Sequence, residues 1–323
     1  MPVIDFHVHH SPYDLVKEKI KPEETIKTVF VDGSPAYTFH HKLYDLEFQL
    51  ACMDKAGIDI SVLSSGSGLG TPLSQCKIVN DKLRQVEKDF PGRFLGLTHV
   101  PQLGGDASLD ELERGAKELG FKGVAMPSIV GDTELDSTDL YPYYQKVCEL
   151  GQFIFVHPAL SGGNYLDYDL GRSVAREFQL VTSVMRIING GVLDEFPDLQ
   201  FIISHCGGGI AAIMGRIEPY QDREFWGTAE HPRHGKLPKE PFRYYMDNRL
   251  MFDTGGFFGN VNAIKAALLE IKPGQLVLGT DYPQEIRDEV LLISLIEGIK
   301  GLPLEKEEID GILCNNGKHL IGM

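Results

Sequence analysis

Five side chains carry the chemistry that this chain offers: His7, His9, His157, His205 and Asp281. His7 and His9 stand one residue apart in Pro2-Val3-Ile4-Asp5-Phe6-His7-Val8-His9, a run that reads as an extended strand. A strand turns successive side chains to opposite faces. Ile4, Phe6 and Val8 are therefore expected on one face, and Asp5, His7 and His9 on the other. Two imidazoles held side by side on a rigid strand make half of a metal site. His157 ends the apolar run Phe153-Ile154-Phe155-Val156, and Asp281 ends Leu276-Val277-Leu278-Gly279-Thr280. Three imidazoles and a carboxylate suit one divalent ion, zinc first, with manganese, cobalt and iron as the other members of that class. A position left to water or substrate would make the site catalytic. His205, closing Phe201-Ile202-Ile203-Ser204, is expected to face the open side of the metal and move a proton there.

Such a set needs a scaffold that gathers the ends of several strands. Apolar, β-branched or aromatic runs lie at Val3–His9, Ile60–Ser65, Phe94–Pro101, Gly123–Ser128, Phe153–Pro158, Phe201–Cys206, Leu250–Gly255 and Leu276–Asp281. Amphipathic helical patterns separate them, at Asp45–Ala56, Ser74–Phe90, Leu109–Leu119, Leu140–Leu150, Ser173–Phe196, Gly209–Phe225, Val261–Ile271 and Glu289–Ile299. Acidic first turns (Asp110, Glu111) and glycines just past an end (Gly120, Gly151) mark helix boundaries. Strand then helix, eight times over, predicts an α/β fold, the (β/α)8 or TIM barrel, with its chemistry at the strand C-termini. No G-x-G-x-x-G follows the first strand, which argues against a doubly wound dinucleotide-binding sheet. No linker or repeat breaks the pattern, so one domain over 1–323 is expected. Two segments exceed ordinary barrel loops, Ser11–His41 and Gly227–Asn248. The first follows a strand and is expected to lie over the catalytic face as a lid. The second starts from the opposite end.

The 323 residues hold 31 lysines and arginines against 46 aspartates and glutamates, a formal net charge of −15. With no basic run to offset phosphate repulsion, nucleic acid is excluded as a partner. An anionic small-molecule substrate would need a local cationic pocket. No apolar run reaches transmembrane length, so no membrane partner is expected. The first ten residues read as strand rather than signal peptide. Cys52, Cys76, Cys148, Cys206 and Cys314 are scattered without C-x-x-C spacing, which suits a reducing cytoplasm. Cys206 is expected to turn into the core, since strand neighbours face opposite ways.

Other polar residues have weaker claims. Arg172 and Arg176, after the fifth strand, and Arg287, after Asp281, could hold an anionic substrate. Asp5 could accept a hydrogen bond from a ligand histidine and fix its tautomer. His99 could line the pocket or cap its strand. His10, His40 and His41 lie on the lid edge, where they could touch substrate but read rather as solvent-exposed. His231, His234 and His319 lie in segments not directed at the site, and Trp226 carries no clear signal.

The set His7-x-His9, His157-Pro158, Ser204-His205-x-Gly207-Gly208 and Gly279-Thr280-Asp281-Tyr282-Pro283 resembles the amidohydrolase superfamily. More narrowly it is similar to the amidohydrolase-2 branch, which includes aminocarboxymuconate-semialdehyde decarboxylase. The similarity runs through nearly the whole chain, including Gly120-Phe121-Lys122-Gly123-Val124 and Met214-Gly215-Arg216-Ile217. It implies that His7, His9, His157 and Asp281 bind one metal, that His205 is the acid–base histidine, and that Asp281 can share the proton traffic. It also implies that Arg216 falls where related decarboxylases hold a substrate carboxylate, in some members across a subunit boundary. A homodimer or higher homo-oligomer is expected on that ground. Binuclear members bridge two metals with a carboxylated lysine ending strand four. Here that strand ends Ala125-Met126-Pro127-Ser128, with Lys122 at its entrance, so one metal is expected. The implied reaction is decarboxylation of a small aromatic or unsaturated acid. The alternative is hydrolysis or hydration of a lactone, amide or unsaturated acid, which the same five side chains could serve. Tyr44-Asp45-Leu46-Glu47-Phe48-Gln49 lacks the arginines some decarboxylases carry, and Ser161-Gly162-Gly163-Asn164-Tyr165 is not apolar, so the substrate should differ from that of the named relative.

Overall fold

Parallel strands that are apolar on both faces are stable only when both faces are covered. The computed structural model describes every residue except 18, 22, 23, 25, 32, 33, 160–166 and 222–237, and for 30, 31 and 34–37 the backbone only. In it, eight strands meet the requirement by closing into a ring. They are β1 (Ile4–His9), β4 (Ile60–Ser64), β5 (Phe94–Gly96), β6 (Gly123–Pro127), β7 (Phe153–His157), β8 (Gln200–Ile203), β9 (Leu250–Asp253) and β10 (Leu276–Val277). Outside the ring, β2 (Ile26–Val31) and β3 (Ser34–His40) form an antiparallel hairpin.

Neighbours β1, β4 and β5 pair in one parallel sheet, and β6 to β10 in another. Beyond the end of β5, Thr98 N donates to Gly123 O and Ala125 N donates to Thr98 O, both at 2.9 Å, which joins the two sheets. The second gap closes where Phe6 N donates to Leu278 O (2.8 Å), Asp281 N to His7 O (2.9 Å) and His9 N to Tyr282 O (2.7 Å). This is the expected (β/α)8 barrel.

The ring is filled by a buried cluster that includes Ile4, Phe6, Val62, Phe153, Phe155 and Ile202, completed from the end of the chain by Cys314, Leu320 and Ile321. Outward residues such as Leu63, Val124, Ile154, Val156 and Ile203 join a larger cluster beneath the helices. In β7 the alternation is regular, with 153 and 155 inside and 154 and 156 outside. In β1 it is not. The pairing of β1 with β4 slips between Asp5 and Val8. Ile4 and Phe6 lie in the inner cluster, whereas Val8 lies in the outer one. The expected single alternation of β1 is therefore corrected: a bulge switches faces in mid-strand.

Helices follow the predicted order with shifted ends. Leu46–Ala56 starts where the Asp45 carboxylate accepts from Phe48 N (3.0 Å), and Glu289–Lys300 where Asp288 accepts from Leu291 N (2.9 Å). Ser173–Phe196 resolves into a π-turn at Gly171–Ala175, a helix at Arg176–Asn189 and a turn at Val192–Glu195. Gly209–Phe225 becomes a 3-10 turn, Ile210–Ile213, and a helix, Met214–Gln221; Phe225 and Trp226 lie outside the described residues. Lys306–Asp310, Gly311–Asn315 and Lys318–Ile321 were not expected as helical turns. Ser11–His41 contains a short helix, Tyr13–Val16, and the hairpin. Arg172 Nη1 donates to Thr28 Oγ1 (3.2 Å) and Thr38 Oγ1 (2.8 Å), and Gln284 Nε2 to Thr38 O (3.0 Å), which ties the hairpin to loops of the catalytic face.

Asp5 is a buried carboxyl at the closing seam. Its Oδ1 accepts from His7 N and Thr280 N, each at 3.1 Å, and its Oδ2 from Thr280 Oγ1 at 2.7 Å. Burial pushes this carboxyl up to about 7. Asp5→Ala would leave three buried donors without an acceptor and should cost about 3 kcal/mol in urea unfolding. A loss below about 0.5 kcal/mol, the level of an ordinary surface change, would mean that the seam does not depend on it.

Candidate active site

The bulge in β1 brings His7 and His9 to the mouth of the ring, opposite His157 at the end of β7 and Asp281 just past β10. The Nε2 atoms of His7 and His157 each lie 3.2 Å from His9 Nε2. Asp281 Oδ1 lies 2.8 Å from His9 Nε2 and 3.5 Å from His7 Nε2. All four donor atoms fall within 4.8 Å of one another, and His7, His9 and Asp281 are buried. Asp281 reaches this point from a left-handed backbone (φ +54°), a conformation that aspartate tolerates better than most residues.

Neighbours decide which nitrogens face inward. His7 Nδ1 donates to Asp253 Oδ2 (2.9 Å). His9 Nδ1 donates to Ser64 Oγ (3.0 Å), which itself donates to Val8 O (3.4 Å). With the Nδ1 positions protonated, the Nε2 lone pairs converge. Burial and the neighbouring His9 and His7 hold His157 well below the usual histidine range, and burial also lowers His9. Burial opposes ionisation of Asp281, but His7 and the contacts from His205 and His9 outweigh it and keep the carboxyl well below its usual range. On His7 burial favours the neutral ring, but Asp253 and Asp281 outweigh it and raise it above its usual range. Two imidazoles held neutral, a third paired with carboxylates, an ionised carboxylate and a buried Asp281 Oδ1 without a hydrogen bond make a donor set suited to a divalent cation. Among the described residues this is the one such cluster.

His205 lies against this cluster. Its ring stacks on His7 at 5.3 Å with the planes 18° apart. The expected strand Phe201–Cys206 ends earlier, at Ile203, and His205 and Cys206 are left-handed (φ +56° and +50°). Cys206 is in the core as expected, but a sharp turn puts it there rather than strand alternation. His205 Nδ1 donates to Glu177 Oε1 (2.9 Å) and Oε2 (3.0 Å). Its Nε2 is buried, lacks a hydrogen bond and lies 3.6 Å from Asp281 Oδ2. Burial disfavours the imidazolium, yet Glu177 and Asp281 outweigh it and hold His205 well above the usual range. Gly256 presses its backbone on this ring: a Cβ there would sit 2.1 Å from His205 Cγ.

Three partners went unread in the sequence. Asp253 Oδ1 accepts from His205 N (3.1 Å) and Gly255 N (2.7 Å) while Oδ2 holds His7, so one carboxylate aligns both histidines. This is the task expected of Asp5, which instead holds Thr280. Asp253 ends a strand, like the other site residues, and that position was its signal. Glu177 and Glu285, linked through Arg176 Nε (3.1 Å) and Nη2 (3.0 Å), carried none.

Of the candidate arginines, Arg216 is exposed and lies over Tyr220, with 5.1 Å from its guanidinium to the ring centre. Arg172 is engaged by Asp169 (2.7 Å) and the hairpin. Arg287 folds onto the carbonyls of Pro283 and Gln284 beside the site. His10 and His40 are buried rather than solvent-exposed. His99 is buried, accepting from Ser65 N (2.9 Å) and donating through Nδ1 to Leu97 O (2.9 Å), so it caps its strand. Met126 faces the outer cluster and Lys122 is exposed. His319 sits in the terminal turn Lys318–Ile321, whose Leu320 and Ile321 fill the other end of the ring. The loop 161–165, His231 and His234 lie outside the described residues.

A family model described as Amidohydrolase matches residues 4–322. The chain belongs to the amidohydrolase family. Among curated relatives of this amidohydrolase, it is 26% identical to 2-amino-3-carboxymuconate-6-semialdehyde decarboxylase of Dictyostelium discoideum, over 91% of this chain and 81% of that protein. It is 28% identical to a gamma-resorcylate decarboxylase of a Rhizobium species, over 79% and 82% of the two chains. Among solved structures, a 5-carboxyvanillate decarboxylase from Novosphingobium aromaticivorans complexed with manganese matches the fold with a TM-score of 0.83, at 19% identity over 100% of this chain and 96% of that one.

Two measurements probe this geometry. Asp253→Asn removes the acceptor that fixes the His7 tautomer and should weaken metal binding by about 10- to 100-fold in chelator competition; unchanged affinity would remove Asp253 from the site. The second concerns acid. Burial holds His99 at about 4 against an ordinary 6.5. The neutral ring is accommodated without penalty above pH 6.5. Between pH 6.5 and about 4 the unfolded chain takes up a proton that the folded chain refuses. Stability should therefore fall by about 3 kcal/mol across that window from this residue. His99→Gln should lower stability at pH 8 yet flatten the acid limb of the denaturation profile, and an unaltered acid limb would contradict the assignment.

Proposed function

We propose that this amidohydrolase is a metal-dependent decarboxylase of a small aromatic or unsaturated carboxylic acid. The observation that carries the reading is the buried His205 Nε2, free of any hydrogen bond beside the four metal donors and backed by Glu177. His7, His9, His157 and Asp281 would hold the cation. Three imidazoles and a carboxylate favour zinc, and the manganese in a related decarboxylase makes that ion the other candidate. When bound, the ion supplies a Lewis acid that holds substrate oxygens and stabilises negative charge.

The chain's own residues then account for the proton. Glu177 fixes the His205 ring through Nδ1 and favours its charged form, so Nε2 carries a proton directed at the donor cluster. His205 delivers that proton to the carbon bearing the carboxylate. The carbon–carbon bond breaks, its electron pair stays on that carbon, and carbon dioxide leaves. Asp281, 3.6 Å from Nε2, stabilises the imidazolium before transfer. Gly256 and Phe257 pack over the ring and keep bulk water off it. Arg216 is kept as a substrate contact delivered to a neighbouring subunit of a homo-oligomer, since it is exposed on its own chain. Five free cysteines, and no helix among the described residues long and apolar enough to cross a membrane, are compatible with a cytoplasmic setting.

The test is a mass-spectrometric screen of zinc- and manganese-loaded protein against aromatic and unsaturated acids, lactones and amides. A product that has lost carbon dioxide is expected. With that substrate, His205→Gln should cut turnover by about 10²- to 10⁴-fold while metal content is unchanged. Products that have gained water would replace the decarboxylase reading with a hydrolase or hydratase.

A further inference from the structure

Arginines near the catalytic face are mostly neutralised by carboxylates: Arg172 by Asp169 (2.7 Å), and Arg176 by Glu177 (3.1 Å) and Glu285 (3.0 Å). Arg287 is not. It is half-buried in the turn that follows Asp281, and no carboxylate among the described residues lies within 4.0 Å of it. Its Nε donates to Pro283 O (3.2 Å) and its Nη2 to Gln284 O (2.9 Å). A guanidinium has five N–H donors, and among the described residues both protons of Nη1 and one of Nη2 have no acceptor. Arg249 also bonds only carbonyls, those of Leu193 and Pro197, but it precedes β9 and so belongs to the opposite end of the barrel.

The surroundings of Arg287 add donors. Lys42 Nζ donates to Arg287 O and is likewise without a carboxylate partner among the described residues. His40 is buried at the end of β3, and its Nδ1 accepts from Lys42 N (3.1 Å). Its proton is therefore on Nε2, for which no acceptor lies among the described residues. Burial and the nearby Arg287 hold this imidazole at about 4, so it is a neutral donor at pH 7. Asp281 and Glu285 act on Arg287 through space, but burial outweighs them and lowers it from its usual range; a carboxylate that bonded its remaining N–H groups directly would gain charge-assisted hydrogen bonds.

We propose that Arg287 and His40 form a second anion subsite at the rim of the metal site, so that the substrate carries two acidic groups, one at the metal donors and one at Arg287. The proposal rests on the decarboxylase reading for its substrate class, but its test needs no turnover. Manganese-loaded full-length protein is titrated calorimetrically with benzoate and with the three benzenedicarboxylates. At least one dicarboxylate should bind about tenfold or more tighter than benzoate, a gain in the range of one charge-assisted pair. Arg287→Met and His40→Phe should each remove most of that advantage while leaving benzoate affinity within about twofold, as expected if only the rim pair is lost. Equal binding of benzoate and all dicarboxylates by the unaltered protein would overturn the subsite, as would an advantage that survives both substitutions. If Arg287→Met fails to fold by circular dichroism, the unaltered protein and His40→Phe decide. Preferential dicarboxylate binding without carbon dioxide release from any acid would retire the decarboxylase and keep the subsite. Release from mono-acids with no such preference would do the reverse.

Discussion

Three imidazole nitrogens and a carboxylate oxygen within 4.8 Å of one another, three of the four residues buried, form an arrangement that a protein does not adopt for its own stability. Lone pairs that face one another across 3.2 Å repel, and each buried polar atom has given up hydration. The rest of the molecule can be understood as what holds this arrangement in place. Packing inside the ring fixes the strands, backbone hydrogen bonds fix their ends, and the carboxylate of Asp253 fixes His7 and the backbone of His205 together. A cation relieves the repulsion, so that what is unfavourable in the protein alone becomes affinity for the ion.

The same economy governs the proton. Glu177 comes from a helix that packs against the turn after β8, and Gly208 lets the two approach, since a Cβ there would stand 1.9 Å from Glu177 O. His205 thus faces charge on both edges, Glu177 at Nδ1 and Asp281 near Nε2. The clustered donors and His205 share Asp281 and, through Asp253, a common scaffold. They form one electrostatic unit rather than two neighbouring ones.

The barrel was legible because its strands, buried on both faces, read as unbroken apolar runs whose ends are marked by a sudden polar residue. That rule located His157, His205 and Asp281, and applied evenly it would have located Asp253. The bulge in β1 was not legible, because a one-residue slip leaves composition and spacing untouched and alters only which face each residue occupies. Glu177 lies in a helix where acidic residues are ordinary, so nothing in its context distinguishes it. The left-handed turn at His205 also left no trace, since neither His205 nor Cys206 is the glycine such a turn usually takes. The turns between Lys306 and Ile321 are too short for a helical period to register.

The seam between β1 and the segment around Asp281 has a consequence for the order of events in folding. His7 and His9 are separated from Asp281 by more than 270 residues of sequence, yet they meet at this seam. Contacts of that kind form late, after the loop-closure entropy between them has been overcome. The four donors therefore come together only when β10 and the segment after it dock beside β1. A cation held there would act as a clasp across the seam, adding its bonds to the backbone pairing that closes the sheet.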